Sequence, residues 1–372
     1  MRPKVLFLMH MPPPIHGAAV VGQHIHDSKL INDRFECIYL NPSASQKVED
    51  VGRHLLRKIP AMFSKLNTIR KTLKKEHPDL CYFTATIGKI VYLNALIVLL
   101  LKMKKQRVVL HLHNKGIKKQ NPGFLGRTAY RIMFSGVKVI LLADELYDDV
   151  REYVKPENTY ICPNGIPETL KTPLQRRACQ QPYTFLFLSN MIESKGVYTL
   201  LEACAILKKK NIPFKCNFIG QWSDIREEAF AQRTKELSLT EEVKAHGAKF
   251  GDEKSEYFIT ADAFVFPTYF KGETFGLVLL EAMEYALPCI STYEGGIPSV
   301  IENNRTGLLT QAQDAAELAE KMEWLIANPD KGIEMGRRGQ ERFREHFTLP
   351  VFEARLATIL SECSTPQPIK YK

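Results

Sequence analysis

The sequence predicts an α/β protein with two doubly wound domains of similar size, and three observations lead to this prediction. Short apolar runs alternate with amphipathic segments of helical length along most of the 372 residues, as in parallel βαβ units. The alternation stops once, in a stretch rich in turn formers, and then restarts. Hydrophobic residues make up 45% of the chain, which is enough for the cores of about two domains.

The first domain begins with the strand-like run VLFLM, followed by the loop PPPIHGA and a segment with helical spacing. Further strands are predicted at 80–85, 108–113 and 138–143, with helices near 88–103 and 125–135. The polar, turn-rich stretch 160–182 then predicts an interdomain linker. We therefore place the N-terminal domain at 1–170.

The second domain repeats the alternation. Its strands are predicted at 183–189, 214–220, 243–247, 263–268 and 288–292, with helices between them and from Ala315 onward. These elements place the C-terminal domain at 171–348. We expect the last helix, within 349–372, to pack back onto the first domain.

Positive charge is concentrated in one part of the chain. The net charge is +10, yet residues 51–140 hold 19 Lys or Arg against Glu76 and Asp79, a local balance of 19 − 2 = +17. In 52–75 and 102–107 the basic residues are interleaved with apolar ones, a pattern that suits an anionic membrane surface. Nucleic acid and plain solvation of the helix faces explain the same charge, so all three interpretations stay open.

Cysteines and apolar runs bear on the compartment. Eight cysteines are scattered without the spacing of a zinc site, as expected for free thiols in a reducing compartment. The N-terminal apolar run is broken early by prolines, unlike a signal peptide, and the longest apolar run, 90–101, is short for a membrane span. We therefore expect a cytoplasmic protein.

Ligands of open α/β sheets bind where strands end and helices begin, which makes these junctions the candidate sites. Gly17 follows the first strand and lets backbone amides approach an anion, although an ordinary turn explains a lone glycine equally well. His111 and His113 end a strand and point to one face, as hydrogen-bonding groups of a cleft or as structural histidines. Because no third ligand is suitably spaced, we expect no metal there.

Two junctions of the second domain carry charged residues. Lys195 stands beside a helix start, where a cation is unfavourable unless an anion intervenes; a solvated lysine is the alternative. In KGETFGLVLLEAM, Glu273 and Glu281 stand eight positions apart, and Glu281 has apolar neighbours, which an ionised carboxylate avoids without a partner. Glu284 and Tyr285 share its helical stripe, so a solvent-facing stripe explains Glu281 as well as a ligand does.

Taken together, these motifs resemble those of the retaining glycosyltransferases of family 4. They are P-x-I-x-G-A in the first loop, H-x-H-N at 111–114, PNG at 163–165, S-K-G at 194–196, Glu-x7-Glu at 273–281 and YEGGIPSVIENNRTGLL at 293–309. The similarity is densest from 183 to 310. It implies the GT-B fold, in which two Rossmann-like domains face each other across an interdomain cleft.

The resemblance also implies roles for individual residues. Glu281 would bind the ribose hydroxyls of a nucleotide-sugar, and Glu273 the donor sugar ring near the reacting carbon. Lys195 would neutralise the diphosphate, Gly17 would cap it from the opposite domain, and His113 would lie by the sugar and acceptor. The backbone amides of a helix start would hold the distal phosphate, in a donor-binding loop made of Thr274, Phe275, Gly276 and Leu277.

Two positions depart from the family pattern. The chain has Ser189-Asn190 where family members usually carry Gly-Arg, so one phosphate-binding cation is absent and Asn190 is left to bind the donor by hydrogen bonding alone. The first loop reads His16-Gly17-Ala18-Ala19, where a glycine pair followed by an acidic residue is usual. The first departure affects the expected binding of the donor, and the second affects the expected contacts with the acceptor.

The resemblance therefore predicts a retaining, metal-independent enzyme without a cofactor. It would move a hexosyl or N-acetylhexosaminyl group from a nucleoside diphosphate sugar to a hydroxyl acceptor, in cell-surface polysaccharide or glycolipid synthesis, with Glu273, His113 and Lys195 as catalytic residues. A saccharide acceptor carried on a lipid would bring the protein to the inner membrane face through 52–75 and 102–119.

Two other classes stay open as alternatives. One is a different GT-B enzyme, such as a sugar epimerase or a phosphorylase. The other is a non-catalytic polyanion-binding protein. Carboxylates in the predicted cleft argue against the second class, and we do not expect nucleic acid as a partner.

Overall fold

The computed structural model describes residues 2–13, 17–41, 55–88, 90–120, 123–174 and 181–365, with the side chains of 55–61 and 119–120 left out. The chain divides into two compact units. The first unit comprises Met1–Asn164 and Leu349–Lys372, and the second comprises Gly165–Thr348. Each unit contains a six-stranded sheet in which all neighbouring strands run parallel. The predicted α/β class is confirmed.

The strands of the first unit are β1 (Lys4–Leu8), β2 (Glu36–Leu40), β3 (Leu80–Ala85), β4 (Val108–Leu112), β5 (Lys138–Leu141) and β6 (Thr159–Ile161). Their order across the sheet is β2-β1-β3-β4-β5-β6. The central strands β3 and β4 are fully buried, since helices cover both faces of such a sheet and leave no polar side to the strand. The edge strands β2 and β6 are only half-buried, which explains why no continuous apolar run marks them.

The strands of the second unit are β7 (Tyr183–Leu188), β8 (Phe214–Ile219), β9 (Val243–Ala245), β10 (Ala263–Phe266), β11 (Cys289–Thr292) and β12 (Gly307–Thr310). Their order is β12-β11-β10-β7-β8-β9. The chain therefore builds outward from β7 in one direction and then returns to build outward from β10 in the other. This change of direction makes the carboxyl ends of β7 and β10 the topological switch point, the usual binding site of such sheets.

The helices are α1 (Gly17–Asp27), α2 (Lys29–Arg34), α3 (Leu55–Glu76), α4 (Val91–Met103), α5 (Ile117–Gln120), α6 (Phe124–Phe134), α7 (Tyr147–Val150), α8 (Val197–Lys209), α9 (Glu227–Glu236), α10 (Gly251–Thr260), α11 (Leu277–Glu284), α12 (Ile297–Val300), α13 (Ala315–Ala327), α14 (Pro329–His346) and α15 (Leu349–Ser364). Two expectations from the sequence need correction. The stretch 160–182 was predicted as a linker, but its start belongs to β6, a short edge strand that pairs with β5. The strands β2 and β12 were not predicted at all.

Helix α15 packs within the first unit. Phe352, Leu356 and Leu360 are fully buried and share a core with Phe7 of β1 and Tyr82 of β3. Removing a side chain of this size from water stabilises a fold by about 1.5–3 kcal/mol. The last helix therefore contributes several kilocalories per mole to a core that begins with the first strand.

Two general features of the chain bear on its environment. The cysteines that the structure describes are all free thiols, and most are buried. Within the described ranges, no helix combines the length and the apolar character that crossing a bilayer requires.

Candidate functional site

The sequence-predicted donor residues of the second unit lie at its topological switch point. Lys195 follows β7, and Glu273 and Gly276 follow β10, the strand next to β7 in the sheet. Sheet order thus brings together residues that stand 78 positions apart in the chain. Lys195 Nζ lies 2.6 Å from Glu273 Oε2, and the two side chains are only 16% and 11% exposed. The alternative interpretation of Lys195 as a solvated surface lysine is wrong.

The turn that carries Lys195 is fixed by backbone contacts. Gly196 adopts a left-handed φ of +90°, and a Cβ there would collide with the carbonyl oxygen of Pro267, so only glycine fits. Tyr269 N–H donates to the carbonyl of Ser194 at 2.8 Å. The Lys195 ammonium also lies 4.5 Å from the centre of the Phe270 ring, a favourable cation–π distance. These contacts hold Lys195 at the β7 and β10 ends.

Glu273 lies in the loop before α11, and its carboxylate reaches the N-terminus of that helix. Its Oε1 accepts a hydrogen bond from Gly276 N–H at 3.1 Å, while Oε2 pairs with Lys195. The first turn of α11 contains no acidic residue, so the partial positive charge of its N-terminus is available to an anion. The Glu273 carboxylate therefore lies where the resemblance expects the distal phosphate, between the lysine and the helix start.

A second glycine-rich loop supports the loop that carries Glu273. Gly295 has a φ of +61°, and a Cβ there would collide with the carbonyl oxygen of Glu273. Gly296 N–H donates to the carbonyl of Thr274 at 2.9 Å. Thr274 and Phe275 are themselves buried. The EGGIP segment of the sequence thus packs against the Glu273 loop and fixes its position.

Glu281 has a charged partner that the sequence did not indicate. Lys254, on α10, lies 2.7 Å from Glu281 Oε2, and the two side chains are partly exposed. The partner removes the difficulty of a carboxylate among apolar neighbours. Glu281 lies in α11 more than a turn beyond the N-cap Gly276, and its ion pair is distinct from that of Lys195 and Glu273.

The interpretation of 281, 284 and 285 as a solvent-facing stripe is wrong. Glu284 and Tyr285 are buried, and Glu284 Oε1 accepts hydrogen bonds from the backbone amides of Thr169 and Leu170, the latter at 2.8 Å. The carboxylate satisfies two amides of the segment that enters the second unit. Sequence analysis missed this role because nothing local distinguishes a carboxylate that caps a distant loop.

Asn190 is exposed in the loop after β7. Its carbonyl accepts a hydrogen bond from Ile192 N–H at 2.7 Å, and Lys195 N–H donates to the Ile192 carbonyl at 2.9 Å. These bonds form the tight turn leading to Lys195. The structure therefore places the side chain at position 190 on the surface of the same loop as the predicted phosphate-binding lysine.

The predicted residues of the first unit lie at the carboxyl ends of β1 and β4. Gly17 opens α1, while His16 falls outside the described residues. The rings of His111 and His113 are 4.1 Å apart, which confirms that they share a face. His113 is half-buried, whereas His111 is fully buried.

His111 is held as a neutral structural group. Its Nδ1 is hydrogen-bonded to the Tyr82 hydroxyl at 2.6 Å. Burial, and secondarily the neighbouring His113, hold the pKa of His111 well below its usual value, because a buried imidazolium lacks solvation. Of the two histidines, His113 is therefore the one placed to meet a ligand. Among the described residues, no group of three or more His, Cys, Asp or Glu is arranged to hold a metal ion.

Comparison with known proteins finds a family match for the segment that carries this site. Residues 173–342 match the family of group 1 glycosyl transferases. The resemblance inferred from the motifs is confirmed over this segment, which contains Lys195, Glu273 and Glu281. The chain is also 27% identical over 203 residues to the putative colanic acid biosynthesis glycosyltransferase WcaL of Escherichia coli K12. That match covers 53% of this chain, and the chain spans only about half (49%) of that relative.

Solved structures extend the likeness to nearly the whole chain. HepE of Anabaena, solved in complex with UDP, covers 96% of this chain and is itself covered completely (100%), with a TM-score of 0.74 and 17% identity. A glycosyltransferase of Rickettsia africae covers 98% of this chain and is covered at 100%, with a TM-score of 0.77 and 16% identity. The GT-B fold that the resemblance predicts is therefore confirmed.

Proposed function

We propose that the protein is a glycosyltransferase that moves a sugar from a nucleoside diphosphate sugar to a hydroxyl acceptor. The observation that carries this proposal is the convergence of the Lys195 ammonium and the Gly276 amide on one carboxylate at the switch point. A cation and a helix start aimed at the same point make an anion site. The family match of this segment and the UDP complex of the structurally similar HepE support the choice of a nucleotide as the ligand.

Donor binding would begin with an exchange of anions. The distal phosphate would take the place of the Glu273 carboxylate beside Lys195 and the amides of Phe275, Gly276 and Leu277. A phosphate carries more charge than the carboxylate and can accept more hydrogen bonds. The released Glu273 would then be free to accept hydrogen bonds from the hydroxyls of the donor sugar.

Lys195 and the start of α11 would also lower the barrier to transfer. Negative charge grows on the diphosphate as the sugar leaves, and a preorganised cation and helix dipole stabilise that charge without reorganising. We propose on this basis a retaining, metal-independent transfer of a hexosyl or N-acetylhexosaminyl group. The anomeric configuration of the product, followed by NMR, tests retention, and full activity in EDTA tests metal independence.

Glu281 is the proposed ribose-binding residue. Partly exposed and carried by α11, it has its charge balanced by Lys254, so it can accept hydrogen bonds from two adjacent hydroxyls without being left as a bare buried charge. Thermal-shift screening against UDP-, GDP- and ADP-sugars tests this role and identifies the base. Glu281→Ala should abolish the shift, and an unchanged shift would remove Glu281 from the site.

The acceptor is proposed to be a saccharide or a lipid-linked saccharide, because the WcaL relative is described as acting in colanic acid biosynthesis. The first unit would then work at the inner face of the membrane, through the basic segments 52–75 and 102–119, of which 52–54 lie outside the described residues. Sedimentation with anionic vesicles at low and high salt tests this attachment. Equal binding to neutral vesicles would count against it.

Two competing functions have distinct outcomes. An epimerase of the same fold would convert a labelled nucleotide-sugar to its epimer without transferring the sugar to an acceptor. A phosphorylase would transfer a glycosyl group to inorganic phosphate and leave the labelled nucleotide-sugar unchanged. A polyanion-binding protein would bind RNA in a salt-dependent way, with no nucleotide-sugar affinity and no effect of Lys195→Ala. Glu273 and Glu281, each paired with its own lysine, favour the transferase, because a protein that only binds polyanions has no use for carboxylates at its binding site.

A further inference from the structure

Helix α4 exposes an apolar ridge on the surface of the first unit. Tyr92, Leu96, Leu99 and Met103 are 51%, 39%, 41% and 71% exposed. Their spacing of four, three and four residues aligns them on one side of the helix, within about 60° of arc and over roughly 16 Å. We call these four side chains the α4 ridge.

The ridge is unusual because α4 is predominantly apolar on its exposed side as well as on its buried side. The opposite side, with Ile97, Val98 and Leu101, is buried in the unit. From Val91 to Leu101 the helix has no charged residue at all. A surface helix normally turns charged residues outward, and a contiguous exposed apolar patch marks an interaction surface.

The helices next to the ridge are cationic. α4 contacts both α3 and α6. The exposed basic residues of these two neighbours are Arg70, Lys71, Lys74, Lys75, Arg127 and Arg131. Only one acidic residue, Glu76, occurs in the sequences of the three helices, and it is paired with Lys4 and Lys75. Further large apolar side chains are exposed on the same neighbours, Phe63 on α3 and Phe124 and Leu125 on α6.

We propose that the α4 ridge inserts into the boundary between headgroups and acyl chains of an anionic bilayer, while the cations of α3 and α6 contact the headgroups. Stable peripheral attachment needs two signals, apolar insertion and electrostatic attraction. The ridge supplies the first, and the flanking helices supply the second. Tyr92, at one end, is of the type that settles at the interface between lipid and water.

Charge complementarity favours the bilayer over a second copy of the chain as the partner of the α4 ridge. A copy would present the same cationic rim, so the two surfaces would repel around the ridge. The inference deepens the proposed function at the membrane face, because it names the inserting residues. It does not depend on catalysis, since its test measures partitioning and insertion.

The first experiment measures sedimentation with vesicles that contain anionic lipid. The double variant Leu96→Glu with Leu99→Glu should lower the partition coefficient at least about ten-fold, given the cost of charge below the headgroups. The matched control is Phe250→Glu with Ile259→Glu, two exposed apolar residues of the second unit, which should bind like wild type. Hydrogen exchange in β3 and β4 at wild-type rates shows that the first unit of the ridge variant is folded. The nucleotide-sugar thermal shift is read separately, so a failure of the proposed donor site does not affect the partitioning result.

The second experiment places a reporter on the ridge. The native tryptophans, Trp222 and Trp324, both lie in the second unit, so Leu96→Trp adds the first reporter to this surface. Its emission should shift to the blue with anionic vesicles and be quenched by brominated acyl chains, whereas Phe250→Trp should show neither change. Unquenched Leu96→Trp or full vesicle binding by the ridge variant would overturn the proposal. So would a wild-type dimer that the ridge variant dissociates.

Discussion

Glu273 holds the position that a bound anion would take. It is matched on one side by an ammonium and on the other by a helix start, so the site is neutralised from within the chain. In the proposed donor binding, the ligand's phosphate would replace this carboxylate. The affinity of the ligand would then reflect the difference in binding free energy between the phosphate and the carboxylate at one place.

Replacing Glu273 separates binding from transfer. Glu273→Gln removes the competing charge, so UDP should bind roughly two- to five-fold more tightly, in line with an ion pair of about 0.4–1 kcal/mol. Sugar transfer should fall at the same time, because the residue no longer offers a carboxylate to the sugar. Calorimetry with UDP and the transfer rate report the two effects. Weaker UDP binding by this variant would contradict the exchange.

Loss of Lys195 should damage the donor site most. Lys195→Ala leaves the developing charge on the diphosphate without its cation, and the expected loss in kcat/KM is about 10²–10³-fold. The control is Lys210→Ala, which removes a surface lysine paired with Glu323 and should leave the rate unchanged. Steady-state rates measured at saturating acceptor give kcat/KM for the donor. A value for Lys195→Ala within a few-fold of wild type would refute the proposed role of Lys195.

The buried His111 makes the stability of the first unit depend on pH. A histidine in the unfolded chain titrates near pH 6.5, whereas the pKa of His111 in the fold lies well below that value. Below about pH 6.5 the unfolded state therefore binds a proton that the native state excludes, and stability falls by up to about 1.4 kcal/mol per pH unit.

The variant His111→Gln isolates this contribution. Hydrogen exchange in β1 and β3 should show wild type losing more stability between pH 7.5 and 5.5 than the variant does. His346→Gln, at a histidine in the second unit, should retain the wild-type slope. Parallel pH profiles for wild type and His111→Gln would exclude His111 as the source.

At the scale of elements, the position of the Glu273 loop depends on a close contact with Gly295. Gly295→Ala pushes a methyl group against the Glu273 carbonyl in addition to straining a positive φ, so we expect a loss of about 1–3 kcal/mol together with loss of the nucleotide thermal shift. Gly247→Ala is the matched control, with a φ of +68° and no atom within 4 Å of the added Cβ. The control should lose some stability but keep the thermal shift. Equal stability losses and equal thermal shifts in the two variants would argue against a role of Gly295 in positioning the Glu273 loop.

Helix α11 also secures the entry segment of the second unit through Glu284. Glu284→Ala leaves the amides of Thr169 and Leu170 without this acceptor, and an unsatisfied buried group costs about 1–3 kcal/mol. The midpoint temperature of thermal unfolding of the second unit should fall accordingly. Glu320→Ala, on the exposed side of α13, should change the unfolding free energy by less than about 0.5 kcal/mol. Equal losses of unfolding free energy in Glu284→Ala and Glu320→Ala would mean that the Glu284 hydrogen bonds do not contribute to stability.

At the scale of the whole molecule, each unit has its own core, and the chain leaves the first unit and then returns to it. Leu356→Ala in α15 should cost about 2–5 kcal/mol because it opens a cavity in that core. Hydrogen exchange should accelerate in β1 and β3, but not in β7 and β10. Thr358→Ala, exposed on the same helix, should leave both units unchanged, and faster exchange in β7 and β10 with Leu356→Ala would contradict independent cores.

Much of the fold was readable because buried parallel strands are continuous apolar runs. LCYFTA and YTFLFL were predicted as strands and are β3 and β7. Three strands were not predicted, β2 with ECIYL, β6 with TYI and β12 with GLLT, and all three are short elements at sheet edges. β2 and β6 are only half-buried, so their sequences are under less pressure to be uniformly apolar. β12 is buried, but its apolar run is only two residues long.

The sequence by itself determined which residues stand at the strand ends, because Lys195 follows an apolar run and Glu273 precedes a helical one. It also determined the family resemblance, since the motifs are local. Only the tertiary structure decided that Lys195 meets Glu273, that Glu281 meets Lys254, and that Glu284 is buried. Each of these contacts joins segments whose proximity is set by strand order and helix packing, and neither is encoded in the spacing of residues along one segment.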